Sequence, residues 1–348
     1  MPDLFRKLTS MRFQMVAWTV LLVGMAACSS RNNEPHAHQD AVIDSVAYYT
    51  RAIMEDSTNA QNFAQRARLF LANGNLDPAL RDLNQALMIQ PDQPKYYLAL
   101  SDVYLVLGQT DNSLAALKKA TGLDPNLVPA YLKLAEVYLL IDRPDAAMGA
   151  ARQALFLDDQ NAEAYYMQGI SLLQSGDTNN AIVNLQISTR LDEMNFMSYM
   201  QLASIAVARG DTMSAMYLRE ALKDQPQDER ALFFLGMILQ EQHHNEEALS
   251  YFKQVMEYYP KNKRAFYHAG YLSLVELGNP QDAKTFFSQA VDLDSTYVEA
   301  VYNLGRTCEE LKEYGKARQY YKQSLKLLPN YPLAVQGMNR LDDQGLGL

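Results

Sequence analysis

Small, large and small residues recur in this chain at an interval of about 34 residues between Ala60 and Tyr331. Small residues stand at Ala79, Ala147, Ala181, Ala248 and Ala317. Four positions on comes a larger one, as at Leu83, Leu185, Phe252 and Tyr321, and three beyond that a small one returns, as at Ala86, Ala120, Ala154 and Ala290. Offsets of four and seven lie on one helix face, so each interval predicts a helix notched by small residues where another helix crosses it. An upstream helix in each interval carries pairs such as Leu134-Ala135, Leu202-Ala203, Leu235-Gly236 and Leu304-Gly305. Turn residues separate the two helices at Gly74-Asn75, Gly108-Gln109, Gly176-Asp177 and Gly210-Asp211, and Pro91, Pro125, Pro260 and Pro329 close several intervals.

Eight helix pairs follow, at 60–93, 94–127, 128–161, 162–195, 196–228, 229–262, 263–297 and 298–331. The fifth is one residue short, so that Ala221 and Pro226 arrive early, and the seventh is one residue long, with Asn279-Pro280 inserted at its turn. Ahead of the array, 41–59 holds a lone capping helix over Ala41 to Glu55 with Tyr49 and Ala52 in register. Behind it, 332–348 holds a short capping helix over Leu333 to Leu341 and a tail. Caps are needed because an end repeat would otherwise expose its apolar face. Helix formers are plentiful and no alternating strand pattern occurs, so the chain is predicted to be all-α. A chain of 348 residues ordinarily exceeds one globular core. A stack grows by neighbour contacts instead, and a single domain is expected.

This pattern resembles the tetratricopeptide repeat, whose signature places an aromatic, a Leu-Gly pair, a second aromatic, Ala, Phe, Ala and Pro at fixed offsets. The resemblance implies an α-solenoid with a right-handed superhelical path of about eight repeats, and a concave wall made by the first helix of each repeat, chiefly at positions two, five, nine and twelve. Position five runs Ala64, Leu98, Leu132, Tyr166, Met200, Phe233, Tyr267 and Tyr302; position nine adds Ile170, Met237 and Tyr271, and position two adds Met197. Tyr166, Ile170, Met197, Met200, Phe233, Met237, Tyr267, Tyr271 and Tyr302 are therefore the candidate protein-binding groove, suited to an amphipathic helix or an extended apolar segment. The same side chains could pack between helices as core, and their exposure separates the two readings. A clamp for a peptide carboxylate is disfavoured, because Arg68, Lys95, Asn303 and Arg306 lie at opposite ends of the array and position six carries no run of asparagines.

Arg6, Lys7 and Arg12 precede an apolar run from Met15 to Ala27, about 13 residues and shorter than the roughly 20 that span a bilayer. This is the pattern of a secretory signal over residues 1–27. Its end, Met25-Ala26-Ala27-Cys28, resembles the cleavage box of bacterial lipoproteins, with Met25 in place of the usual leucine, which makes Cys28 the expected lipid acceptor. Ser29 and Ser30 lack the aspartate that retains such lipoproteins in the inner membrane, and no acidic run follows Cys28. The resemblance thus implies an outer-membrane lipoprotein facing the periplasm rather than the cell surface. Residues 28–40 are polar and are expected to form a flexible tether.

After removal of residues 1–27 the chain has 28 basic and 39 acidic residues, a net charge of −11, which argues against nucleic acid and against an electrostatic grip on anionic lipid. Cys308 is the one cysteine beyond Cys28 and is expected to face inward. His36, His38, His243, His244 and His268 lack partners at ligand spacing, so neither a metal nor a cofactor is expected. Asp158-Asp159, Glu246-Glu247 and Glu309-Glu310 fall at turns or helix surfaces, and there is no phosphate loop or nucleophile motif, so no catalytic residue is assigned and an enzyme is not expected. The sequence points to a lipid-anchored periplasmic scaffold that binds other envelope proteins, in a secretion, outer-membrane assembly or murein-processing complex. A glycan-capturing lipoprotein on the same scaffold is the alternative, disfavoured by inter-helix turns of a few residues. A self-assembling repeat protein is the third reading, and a homo-oligomer stays open.

Overall fold

The computed structural model describes residues 35–346. The expected signal segment, Cys28 and the tether up to Asn33 and Glu34 lie outside the described residues. Among those described, every regular element is a helix. Helix α1 (Pro35–Glu55) is followed by eight pairs: α2 and α3 (Ala60–Ala72, Leu76–Ile89), α4 and α5 (Pro94–Val106, Thr110–Leu123), α6 and α7 (Val128–Leu140, Pro144–Leu157), α8 and α9 (Ala162–Gln174, Thr178–Leu191), α10 and α11 (Phe196–Arg209, Ser214–Asp224), α12 and α13 (Glu229–Glu241, Asn245–Tyr258), α14 and α15 (Lys263–Tyr271, Pro280–Leu293), and α16 and α17 (Val298–Glu310, Tyr314–Leu327). Helix α18 (Pro332–Asp343) closes the chain. The helix expected from Ala41 is already formed at Pro35, the first described residue.

By their contacts the described residues fall into two compact units, divided between Ala208 and Arg209. The division falls beside the fifth repeat's turn. There the residue missing from the repeat has been taken from the start of the second helix, so α11 has 11 residues where its counterparts have 14.

Within each unit the crossings are set by size. Ala79, Ala147, Ala181, Ala248 and Ala317 are fully buried, as are Leu185, Phe252 and Tyr321 four residues later. Each first helix answers its own second helix with a small residue. Gly236, Gly270 and Gly305 lie so close to Phe252, Phe287 and Tyr321 that a Cβ would meet each ring at 2.9 Å. Leu83 faces Ala67, whereas Leu185 faces Gly169, where a Cβ would meet its Cγ at 2.8 Å. First helices also meet across repeats, α2 with α4 and α6 with α8. The helix pairs are joined by a residue in the left-handed region: Gly74, Gly108, Gly176, Gly210 and Gly278, with Asp142, His243 and Lys312 filling the same place without glycine.

In the seventh repeat that left-handed residue, Gly278, comes 15 residues after the helix start at Lys263. In the eighth, Lys312 comes 14 after Val298. The extra residue therefore precedes the turn. It is absorbed as a π-helical stretch, Leu272–Glu276, continuing α14, and not at Asn279-Pro280 as expected. A π turn widens the ring of one hydrogen bond and so takes up one residue without breaking the helix.

The ends are closed by side chains. Arg66 of α2 donates to Asp82 of α3 at 2.7 and 2.8 Å and to Thr50 of α1 at 3.1 Å, which ties α1 to the first repeat. At the other end, Ala334, Gly337 and Leu341 of α18 are buried against Tyr302 and Tyr321. Arg340 grips Glu309 through two hydrogen bonds of 3.0 and 2.9 Å, and Glu309 also accepts from the Tyr321 hydroxyl.

Candidate functional site

The candidate groove residues all lie on first helices, and the structure divides them by burial. In the first unit Tyr166 and Ile170 are buried, while Met197 and Met200 at the start of α10 are half-buried. Burial raises the pKa of the Tyr166 hydroxyl, which is hydrogen-bonded with Gln201. Beside them, Lys133 reaches Glu136 at 2.8 Å and Asp102 at 3.3 Å. Burial works against the Lys133 ammonium, but Glu136 and Asp102 outweigh it and hold its pKa above the ordinary value. Burial raises the carboxyls of Asp102 and Glu163, the latter with help from Glu136.

In the second unit Phe233 and Tyr302 are buried and Met237, Tyr267 and Tyr271 are half-buried. Each position-five aromatic packs on the large residue of its own second helix: Phe233 on Phe252 with centroids 5.6 Å apart, Tyr267 on Phe287 at 5.9 Å, Tyr302 on Tyr321 at 5.8 Å. The column that becomes aromatic along the sequence is thus in large part the second half of the crossing. Its signal was present in the sequence, since Gly236, Gly270 and Gly305 accompany Phe252, Phe287 and Tyr321. Phe233 carries on its other side the guanidinium of exposed Arg264, 4.6 Å from the ring centroid. Arg264 was not among the expected groove residues, although it stands at position two of the seventh repeat as Met197 does in the fifth; only apolar side chains had been selected along the groove positions.

His268 is enclosed by Phe252 at 5.2 Å and Phe233 and Tyr267 at 5.5 Å, and its Nδ1 faces Gln240 Oε1 at 3.2 Å. Loss of hydration, with Arg264 adding to it, brings its pKa down to about 4. Asn303 is buried and its amide donates to the Glu299 carbonyl at 2.9 Å, so this clamp candidate is engaged within its own helix. Cys308 is buried. Among the described residues no group of three or more His, Cys, Asp or Glu could hold a metal, and no helix is long and apolar enough to cross a membrane.

Models of the tetratricopeptide repeat match residues 65–128 and 272–332, and a further model of the same repeat matches 229–262. The chain is a tetratricopeptide-repeat protein. Such repeats are interaction scaffolds, and no catalytic family accompanies the match. Over 156 residues the chain is 28% identical to the type IV pilus assembly protein PilF of Pseudomonas aeruginosa, covering 44% of this chain and 62% of that protein's length. Among solved structures, the C-terminal part of a tetratricopeptide-repeat protein from Cytophaga hutchinsonii is 15% identical and aligns over 78% of this chain and 98% of its own, with a TM-score of 0.47. YrrB, described as having an unusual peptide-binding site, is 22% identical over 63% of this chain and 95% of its own, with a TM-score of 0.33.

Proposed function

We propose that this tetratricopeptide-repeat protein is a lipid-anchored scaffold of the bacterial envelope, held in the outer membrane through Cys28, facing the periplasm, and gripping a segment of a partner protein on its first helices. The observation that carries the binding reading is the exposed Arg264 lying over Phe233, with Met237 and Tyr271 half-buried on the same two first helices, α12 and α14, so that a partner's side chains can meet both charge and apolar area. The half-buried pair Met197 and Met200 offers the first unit a softer, adaptable surface of the same kind. The likeness to a pilus assembly protein supports an envelope pathway.

In-cell crosslinking with a C-terminal tag tests this. The variant Met237→Ala with Tyr271→Ala is expected to keep its helicity and lose a protein that the parent captures; unchanged capture by this variant and by Met197→Ala with Met200→Ala overturns the reading. Separately, Cys28→Ser is expected to abolish metabolic labelling by a fatty acid and to move the protein from the membrane to the soluble fraction.

A further inference from the structure

The three most exposed large apolar side chains among the described residues are Phe156 at 84%, Met54 at 80% and Met88 at 79%. They occupy one place in the repeat. Met88 follows Met54 by 34 residues and Phe156 follows Met88 by 68, with Gly122 at the position between. All are near the C-terminal ends of second-type helices of the first unit, α1, α3, α5 and α7, on the stripe opposite the buried one. Scattered exposed apolar residues need no explanation, but three in repeat register make a row.

The charges on the same helices are sorted as well. Arg51, Arg81, Lys118, Lys119, Arg152 and Arg190 are all exposed on α1, α3, α5, α7 and α9, and none of them forms an ion pair. The carboxylates stand inside or toward the ends: Asp77, Asp111 and Asp145 in first turns, where the helix dipole favours them, Asp82 buried against Arg66, exposed Glu55 as the last residue of α1 next to Met54, and Asp124 and Asp158 in the closing turns, accepting from the backbone N–H of Asn126 and Gln160. Between those ends, from Tyr48 to Met54 in α1 and along α3, α5, α7 and α9, the exposed charge is all positive. Of the second helices of the other unit, α11, α13 and α15 mix signs, with Glu220 beside Lys223 and Glu246 and Glu247 ahead of Lys253, while α17 carries only basic residues but none of the three most exposed apolar side chains.

The geometry points to an anionic phospholipid surface as the partner of this face. Long basic side chains interleaved with Met and Phe are the arrangement that lies in a headgroup layer: the cations meet phosphates at the end of aliphatic stems, and the apolar tips enter the acyl boundary. The net charge of −9 conceals this, because the excess of carboxylates lies outside the band. The inference stands on the face alone and does not depend on acylation of Cys28.

The experiment uses the chain from residue 28 with Cys28→Ser, so that neither the signal segment nor an acyl chain contributes and Phe156→Trp supplies the one indole. Its emission is expected to shift to the blue on vesicles containing phosphatidylglycerol, not on pure phosphatidylcholine, and the shift is expected to be reversed by raised salt. Adding Lys118→Glu, Lys119→Glu and Arg152→Glu is expected to weaken binding to the anionic vesicles at least about tenfold while the circular dichroism stays that of the parent. No shift on anionic vesicles, an equal shift on both lipids, or equal binding by the charge-reversed protein overturns the proposal. A blue shift in the absence of vesicles that grows with protein concentration also overturns it, and assigns the face to a second copy of the chain.

Discussion

Tyr321 is held between two glycines: a Cβ added at Gly305 would meet its ring at 2.9 Å and one at Gly337 at 2.6 Å. The ring is fully buried, so nothing can give without moving a helix. Gly305→Ala is expected to destabilise the protein by roughly 1–3 kcal/mol through overpacking, read as a lower urea midpoint; an unchanged midpoint would show that α16 and α17 part easily. At His268 the cost is electrostatic. Its pKa is about 4 in the folded chain against an ordinary 6.5, so between those values the unfolded chain binds more protons. Its neutral form therefore supports the fold fully above pH 6.5, and that support is lost as pH falls toward 4. His268→Phe is expected to flatten the fall in stability across this window by roughly 1–3 kcal/mol, measured as denaturant midpoints against pH.

At the scale of the helix, the 34-residue register and both length anomalies were legible from the sequence, and where the structure absorbs them was not. Sequence spacing counts residues between landmarks but does not say which hydrogen bonds stretch. The seventh repeat solves its surplus inside α14, with the π stretch from Leu272 to Glu276 keeping Leu272 and Leu274 buried. Deletion of Val275 is expected to restore an α-helical register and leave the thermal midpoint close to the parent's, while deletion of Leu239 from the regular α12 lowers it markedly. Ala147, fully buried where α7 crosses α6, tests the register more directly. Ala147→Leu is expected to cost roughly 1–3 kcal/mol in a thermal or urea melt.

Within each unit, contacts run between helices adjacent in sequence or between first helices of neighbouring repeats, so stability should be close to a sum of local contributions. Ala147→Leu and Gly305→Ala lie in different units, and their combined effect is expected to equal the sum of the two within about 0.5 kcal/mol, measured by denaturant unfolding fitted over both transitions. Charge is another matter of scale. The total of 31 basic and 40 acidic residues argues against anionic partners, but totals do not record that the exposed basic residues of α3, α5, α7 and α9 share one stripe.

The sequence by itself determined the helix pairs, their turns, the alanine crossings and the repeat family, because all of these depend on residues fewer than 34 apart and repeat often enough to be seen. Only the tertiary structure decided which aromatics of the candidate groove are free. Tyr166, Ile170, Phe233 and Tyr302 lie on the expected helix face and are nonetheless buried, whereas Met197, Met200, Met237, Tyr267 and Tyr271 keep part of their surface. Periodicity fixes the direction in which a side chain leaves its helix, but its exposure depends on how far the facing helix reaches, and that is set by the size of a residue on another element.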